Sequence, residues 1–134
     1  MILVDSSVWI DYFRGVSTPT SDRLDGLLST EPLYIGDLIL AEILQGFTAD
    51  RDFERGLALL TGLNLIEIAG RDIAIASARN YRRLRVAGVT VRKTIDCLIA
   101  TRCIADGYAL LYSDRDFDPF VQRLGLRSAN PISA

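Results

Sequence analysis

The sequence predicts an α/β sandwich, with a central, mainly parallel sheet of four or five strands and helices on both faces. Three observations predict it. Short unbroken apolar runs, such as Ile2-Leu3-Val4 and residues 108–112, have the look of strands buried on both faces. Longer segments between them carry apolar residues at helical spacing. Strands and helices alternate along the chain, which is the mark of crossover connections.

The elements follow in order. Residues 2–4 are the first strand, and Asp5-Ser6-Ser7 supplies helix-starting chemistry for a short helix over 8–14 that ends at Gly15. Residues 17–20 read as a loop and 21–28 as a second helix. Residues 33–35 suit a second strand, and Asp37 can cap a helix reaching Gly46 or Ala49. A helix over 52–61 precedes a third strand over 65–68. A helix over 72–86 ends at Gly88, and Thr94 can cap another to about residue 105, with Gly107 as its stop. Residues 108–112 are the fourth strand and 117–123 the last helix, with a short strand expected in the tail.

The 134 residues are expected to form one domain, 1–134. Hydrophobic residues make up 49% and charged residues 24%, which excludes a disordered chain. Cys97 and Cys103 lie six apart in one helix and read as reduced core residues, fitting a cytoplasmic protein. No run is long enough to span a membrane, and the opening residues, with Asp5 and no basic region, do not read as a signal peptide. Histidine is absent, which excludes histidine acid–base catalysis, Ser-His-Asp triads and histidine zinc sites. Any metal ligands are then carboxylates, and the metal a hard cation such as Mg²⁺ or Mn²⁺.

Four acids stand where chemistry is sought. Asp5 and Asp114 follow strand ends, and each also suits a helix cap. Glu42 and Asp96 lie among apolar neighbours, in Leu38-Ile39-Leu40-Ala41-Glu42-Ile43-Leu44 and Thr94-Ile95-Asp96-Cys97-Leu98-Ile99-Ala100. A lone buried carboxylate costs several kcal/mol unless paired or metal-bound. The plain alternatives are a helix-dipole position for Asp96, and a solvent-facing position or an arginine pair for Glu42. Together the four could meet in one crevice, where their mutual repulsion calls for a divalent cation. The chemistry this best serves is metal-assisted hydrolysis of a phosphodiester, which needs no histidine and no protein nucleophile.

The net charge of −2 hides an uneven distribution. Between Ile73 and Ile95 there is no acid, while Arg79, Arg82, Arg83, Arg85, Arg92 and Lys93 supply six of the fifteen cations. That stretch is either a solvated helix face or a phosphate-binding surface; fourteen of the fifteen cations are arginine, whose fork suits phosphate. Arg82, Arg83, Arg92 and Lys93 are the expected contacts to a phosphate backbone, the last two because they precede the helix that carries Asp96.

In these motifs the chain resembles the PIN-domain nucleases, and within them the VapC-like ribonuclease toxins of bacterial toxin–antitoxin modules. The resemblance rests on the opening Ile2-Leu3-Val4-Asp5-Ser6-Ser7-Val8-Trp9-Ile10, on Glu42 in Leu40-Ala41-Glu42-Ile43-Leu44-Gln45-Gly46, on the Asp96 segment and on Ser113-Asp114-Arg115-Asp116-Phe117. It runs in order over essentially the whole chain. It implies a three-layer PIN-like sandwich and a catalytic acidic quartet of Asp5, Glu42, Asp96 and Asp114 that holds Mg²⁺ or Mn²⁺. It implies Asp116 as an additional acid near the metal, and Ser7 as the hydroxyl supporting the first acid. Many members carry Thr two residues before the fourth acid; here that position is Tyr112, with Ser113 adjacent as the remaining supporting hydroxyl. The resemblance further implies endonucleolytic cleavage of structured RNA such as transfer or ribosomal RNA, a homodimer, and neutralisation by a cognate VapB-like antitoxin.

Two other classes fit the residues less well. A phosphotransfer protein of the dehalogenase type wants a second Asp two residues after the first, where Ser7 stands; a receiver wants an acidic pair and a late lysine, and the chain's lysine is Lys93. A non-catalytic PIN-fold module binding RNA or protein would have lost an acid of the quartet, and none is lost.

Overall fold

Leu3 and Val4 are wholly buried, and the strand they form is the middle of the sheet. In a computed structural model, which describes residues 1–132, five parallel strands run in the order β3-β2-β1-β4-β5. The chain runs β1 (Ile2–Val4), α1 (Ser6–Phe13), α2 (Pro19–Thr30), β2 (Tyr34–Gly36), α3 (Asp37–Gln45), α4 (Asp50–Thr61) and β3 (Asn64–Ile66). It continues through α5 (Arg71–Val86), α6 (Thr94–Asp106), β4 (Ala109–Leu111), a 3-10 turn (Arg115–Phe117), α7 (Asp118–Leu124) and β5 (Arg127–Ser128). The last two residues of the expected domain, 133 and 134, lie outside the described residues.

The topology positions the site. β1 pairs on one side with β4, Ile2 opposite Ala109 and Val4 opposite Leu111, and on the other with β2 at Leu3 and Tyr34. Strand order runs outward from β1 in both directions, and such reversals open a crevice beyond the carboxyl ends of the strands. Asp5 and Asp114 leave the adjacent strands β1 and β4 into that crevice. Trp9, Phe117 and Phe120 are the largest fully buried side chains. α1 packs on α2 and α3, and α5 on α6. Cys97 and Cys103 are buried and unbridged, as expected.

Several boundaries differ from expectation for identifiable reasons. α1 begins at Ser6, because Asp5 is its cap and accepts the Ser7 N–H. α2 begins at Pro19 rather than 21, with Thr18 and Ser21 closing a capping box. Asp37 does not cap α3: Gly36 does, and Asp37 Oδ1 accepts from the Leu38 and Ile68 N–H groups. That second bond ends β3 at Ile66, since the Ile68 N–H is taken by a side chain and not by the ladder. Thr94 is likewise the first residue of α6 and not its cap, which is Lys93 without a side-chain bond. Asp96 therefore occupies the third position of that helix. β4 stops at Leu111 because the Tyr112 N–H turns to Asn130 Oδ1. No helix among the described residues is long and apolar enough to cross a membrane.

Candidate metal centre

Asp5 is the hub of the crevice. Its N–H donates to Leu111 O at 2.9 Å, extending the β1–β4 seam by one bond. Its Oδ2 accepts from the Ser7 N–H at 3.1 Å and from Ser7 Oγ at 2.6 Å. Its Oδ1 is buried with no partner, in a residue only 3% exposed. Burial raises the Asp5 pKa, the Ser7 hydrogen bonds oppose this, and the charge of Asp114 adds to it.

Asp96 projects from the first turn of α6 and is 5% exposed, with Oδ2 also lacking a partner. Burial first, then the Asp5 charge, pushes its pKa up to about 7. The expected dipole position is real, yet it does not offset these effects. The only other buried orphan among the described residues is Trp9 Nε1, within the core.

Asp114 caps the 3-10 turn and accepts the Asp116 N–H at 2.9 Å through Oδ1. Asp96, Asp114 and Asp116 each present an oxygen within 4.8 Å of the other two. Glu42 is half-buried on α3 and not enclosed, since Ala41 beside it is exposed. Its Oε1 accepts from Ser6 Oγ at 3.3 Å, and burial followed by the Asp5 charge raises its pKa. Four acids from β1, α3, α6 and the β4 exit thus sense one another's charge, with Asp116 alongside.

Other expected site residues are placed differently. The Ser113 hydroxyl makes no bond to Asp114 among the described residues; its backbone N–H donates to Ser7 Oγ at 3.3 Å. Tyr112 supports the following helix, donating its hydroxyl to Asp118 at 2.8 Å. Burial and that bond push its pKa up to about 12. Lys93 stands at the acids, its Nζ 4.0 Å from Asp114 Oδ2. Arg92 lines a small cleft of about 80 Å³ with Arg115, Thr90 and Asp116, at the edge of the cluster. Arg82 and Arg83 line a separate groove of about 460 Å³ with Arg79, Arg85 and Val86, and no acid borders it. Ser6 is the residue that sequence reasoning passed over. Its only local signal was membership of the Asp5-Ser6-Ser7 helix start.

The residues fit a divalent cation. Two buried carboxylate oxygens without partners, on Asp5 and on Asp96 of the converging trio, are costly unless a cation binds them. An all-oxygen, all-carboxylate donor set selects a hard ion.

Residues 2–120 match the PIN domain family. The chain belongs to it. It is 35% identical over 132 residues to VapC ribonuclease Mb1587 of Mycobacterium bovis, covering 97% of this chain and 98% of the relative. Ribonuclease VapC11 of Mycobacterium tuberculosis matches to the same extent, which puts this PIN-domain chain among the VapC ribonucleases. Among solved structures, VapBC2 from Rickettsia felis bound to a promoter DNA fragment superposes with a TM-score of 0.76 at 18% identity, over 98% of this chain and 100% of that one. VapC20 of Mycobacterium tuberculosis, a toxin that cleaves the sarcin–ricin loop, gives 0.70 at 17% identity, over 98% and 100%. At those identities the structures speak for the fold, and they share this PIN-like α/β sandwich.

Proposed function

We propose that this VapC-type PIN domain is a Mg²⁺- or Mn²⁺-dependent endoribonuclease toxin that cuts structured RNA, transfer or ribosomal, and is neutralised by a VapB-like antitoxin in the cytoplasm. The observation that carries it is the crevice itself: Asp5, Glu42, Asp96 and Asp114 on four elements, with Asp116 adjoining and two buried oxygens unpartnered. When bound there, a divalent ion supplies activation of water and stabilisation of charge on the phosphodiester. Asp96, Asp114 and Asp116, whose oxygens converge, would hold the ion, with Asp5 and its unpartnered Oδ1 as the fourth ligand. Ser7 donates to Asp5 Oδ2 and so opposes the effect of burial on that carboxyl, while Oδ1 is left without a partner. Glu42, with Oε1 engaged by Ser6, has Oε2 to accept a proton from the attacking water, and burial raises its pKa from the ordinary carboxylate value. Arg92, with Arg82 and Arg83 on α5, holds the RNA backbone.

Support for the partner comes from solved structures of the same fold that are VapBC or toxin–antitoxin complexes, and from a groove of about 520 Å³ lined by Ile10, Phe13, Ile43, Phe47 and Leu59 together with Arg14, Asp52 and Arg55. A homodimer belongs to the same reading. The test is cleavage of bulk transfer and ribosomal RNA with Mn²⁺, with EDTA, and by Asp5→Asn. Cutting that needs both the ion and Asp5 supports the nuclease; binding without cutting leaves the non-catalytic PIN module.

A further inference from the structure

Lys93 is the only lysine in a chain of fourteen arginines, and it lies against the acid cluster. Its position is set by the backbone: it is the N-cap of α6, three residues before Asp96. Its Nζ stands 4.0 Å from Asp114 Oδ2, on a side chain that is 60% exposed. Its charge also reaches Glu42 and Asp96, lowering the pKa of each against the larger effect of burial. No other cation pairs with an acid of the cluster among the described residues; the remaining ion pair is Arg102 with Asp106.

Stability does not explain this placement. An ion pair this long and this exposed contributes little. Nor does the ammonium satisfy the crevice, because Asp5 Oδ1 and Asp96 Oδ2 stay without partners. A divalent ion held by Asp114 would repel an ammonium on the same carboxylate. The flexible, exposed four-carbon stem lets the charge leave without moving the backbone. The crevice also has a charge problem with its substrate. Five carboxylates outweigh one divalent ion, so an incoming phosphate meets net negative charge unless a cation stands at the rim. A compact ammonium with three donors suits a single phosphate oxygen there.

We propose that Lys93 is an exchangeable cation of this site, pairing with Asp114 in the metal-free crevice, yielding to the divalent ion, and then holding an RNA phosphate beside the scissile bond. The second half rests on the nuclease reading above; the first half does not.

The test compares wild type with Lys93→Met and Lys93→Arg, each checked for folding by circular dichroism. Mn²⁺ affinity is measured by calorimetric titration without RNA. Cleavage of bulk transfer and ribosomal RNA is measured at saturating Mn²⁺. Lys93→Met should bind Mn²⁺ about three- to tenfold more tightly, the effect of removing one positive charge several ångströms from a divalent ion in a water-like medium. The same variant should cut RNA about tenfold or more slowly, the usual worth of a hydrogen bond to a charged group. Lys93→Arg should return Mn²⁺ affinity toward wild type and recover most of the cutting. Unchanged or weaker Mn²⁺ binding by Lys93→Met overturns the exchange, and undiminished cutting overturns the phosphate contact. If wild type cuts no RNA with Mn²⁺, the nuclease reading falls and takes the phosphate contact with it. The titration alone then decides the exchange.

Discussion

Replacing Asp96 with Asn tests the crowding of the crevice directly. Asp96 is almost wholly buried, has one orphaned oxygen, and its pKa is pushed up to about 7 from 3.8 by burial and the Asp5 charge. Each tenfold change in proton affinity is worth about 1.4 kcal/mol, so at pH 8 the metal-free fold carries a cost of about 4 kcal/mol at this carboxylate. The folded state holds this proton more tightly than the unfolded state. The contribution of this carboxyl to metal-free stability therefore falls as pH rises from about 4 to about 7, and is flat above. Asn has the same shape and no charge, but an unpartnered buried amide costs about 1–3 kcal/mol. The net gain for Asp96→Asn at pH 8 in EDTA is then about 1–3 kcal/mol, or about 3–10 °C in melting temperature. At pH 4 the gain should be gone and the variant no more stable than wild type, because the carboxyl is protonated and the cost of the amide remains. With Mn²⁺ in hundredfold excess over Kd the variant's lead should be erased or reversed, because wild type gains about 2.7 kcal/mol that the variant largely forgoes. Melting curves at the two pH values, with EDTA and with Mn²⁺, decide it. If Asp96→Asn melts lower than wild type at pH 8 in EDTA, the carboxylate is stabilising, and the helix dipole outweighs burial and repulsion.

Other outcomes are expected. Asp5→Asn should abolish Mn²⁺-dependent RNA cleavage with an unchanged circular dichroism spectrum, since Asn still caps α1. Ser7→Ala removes the 2.6 Å bond that opposes burial at Asp5, so the acidic limb of the pH–rate profile should move to higher pH. Arg82→Ala with Arg83→Ala should weaken RNA binding on all sequences alike and flatten the salt dependence by about 0.7–0.9 for each phosphate no longer neutralised, read by binding at several salt concentrations. Gly36→Ala would put a Cβ 2.6 Å from two Ile68 side-chain carbons, and should cost about 1–3 kcal/mol in denaturant unfolding.

What the sequence disclosed follows from which signals are local. β1 and β4 are legible because strands buried on both faces read as unbroken apolar runs. β3 is less so: it is an edge strand, its Leu65 is 58% exposed, and the apolar run continues to Ile68, which is buried outside the ladder. Asp96 announces itself as an acid with no polar neighbours and proves buried. Glu42 looks alike in sequence yet is half open, since only one face of α3 meets the core. Ser6 reaching Glu42 across 36 residues, and Lys93 meeting Asp114, depend on crossings of the chain that no spacing encodes.

The central strand has a consequence for how the protein comes into being. Residues 2–4 wait for residues 109–111 before the β1–β4 seam can close, and pairings of such long sequence separation form late and slowly. The crevice draws on that seam twice, through Asp5 and through Asp114. During synthesis the acids are therefore apart until the sheet's second half has emerged. A chain cut short anywhere before β4 lacks the fourth acid, so the acid cluster comes together only when nearly all of the protein has been made.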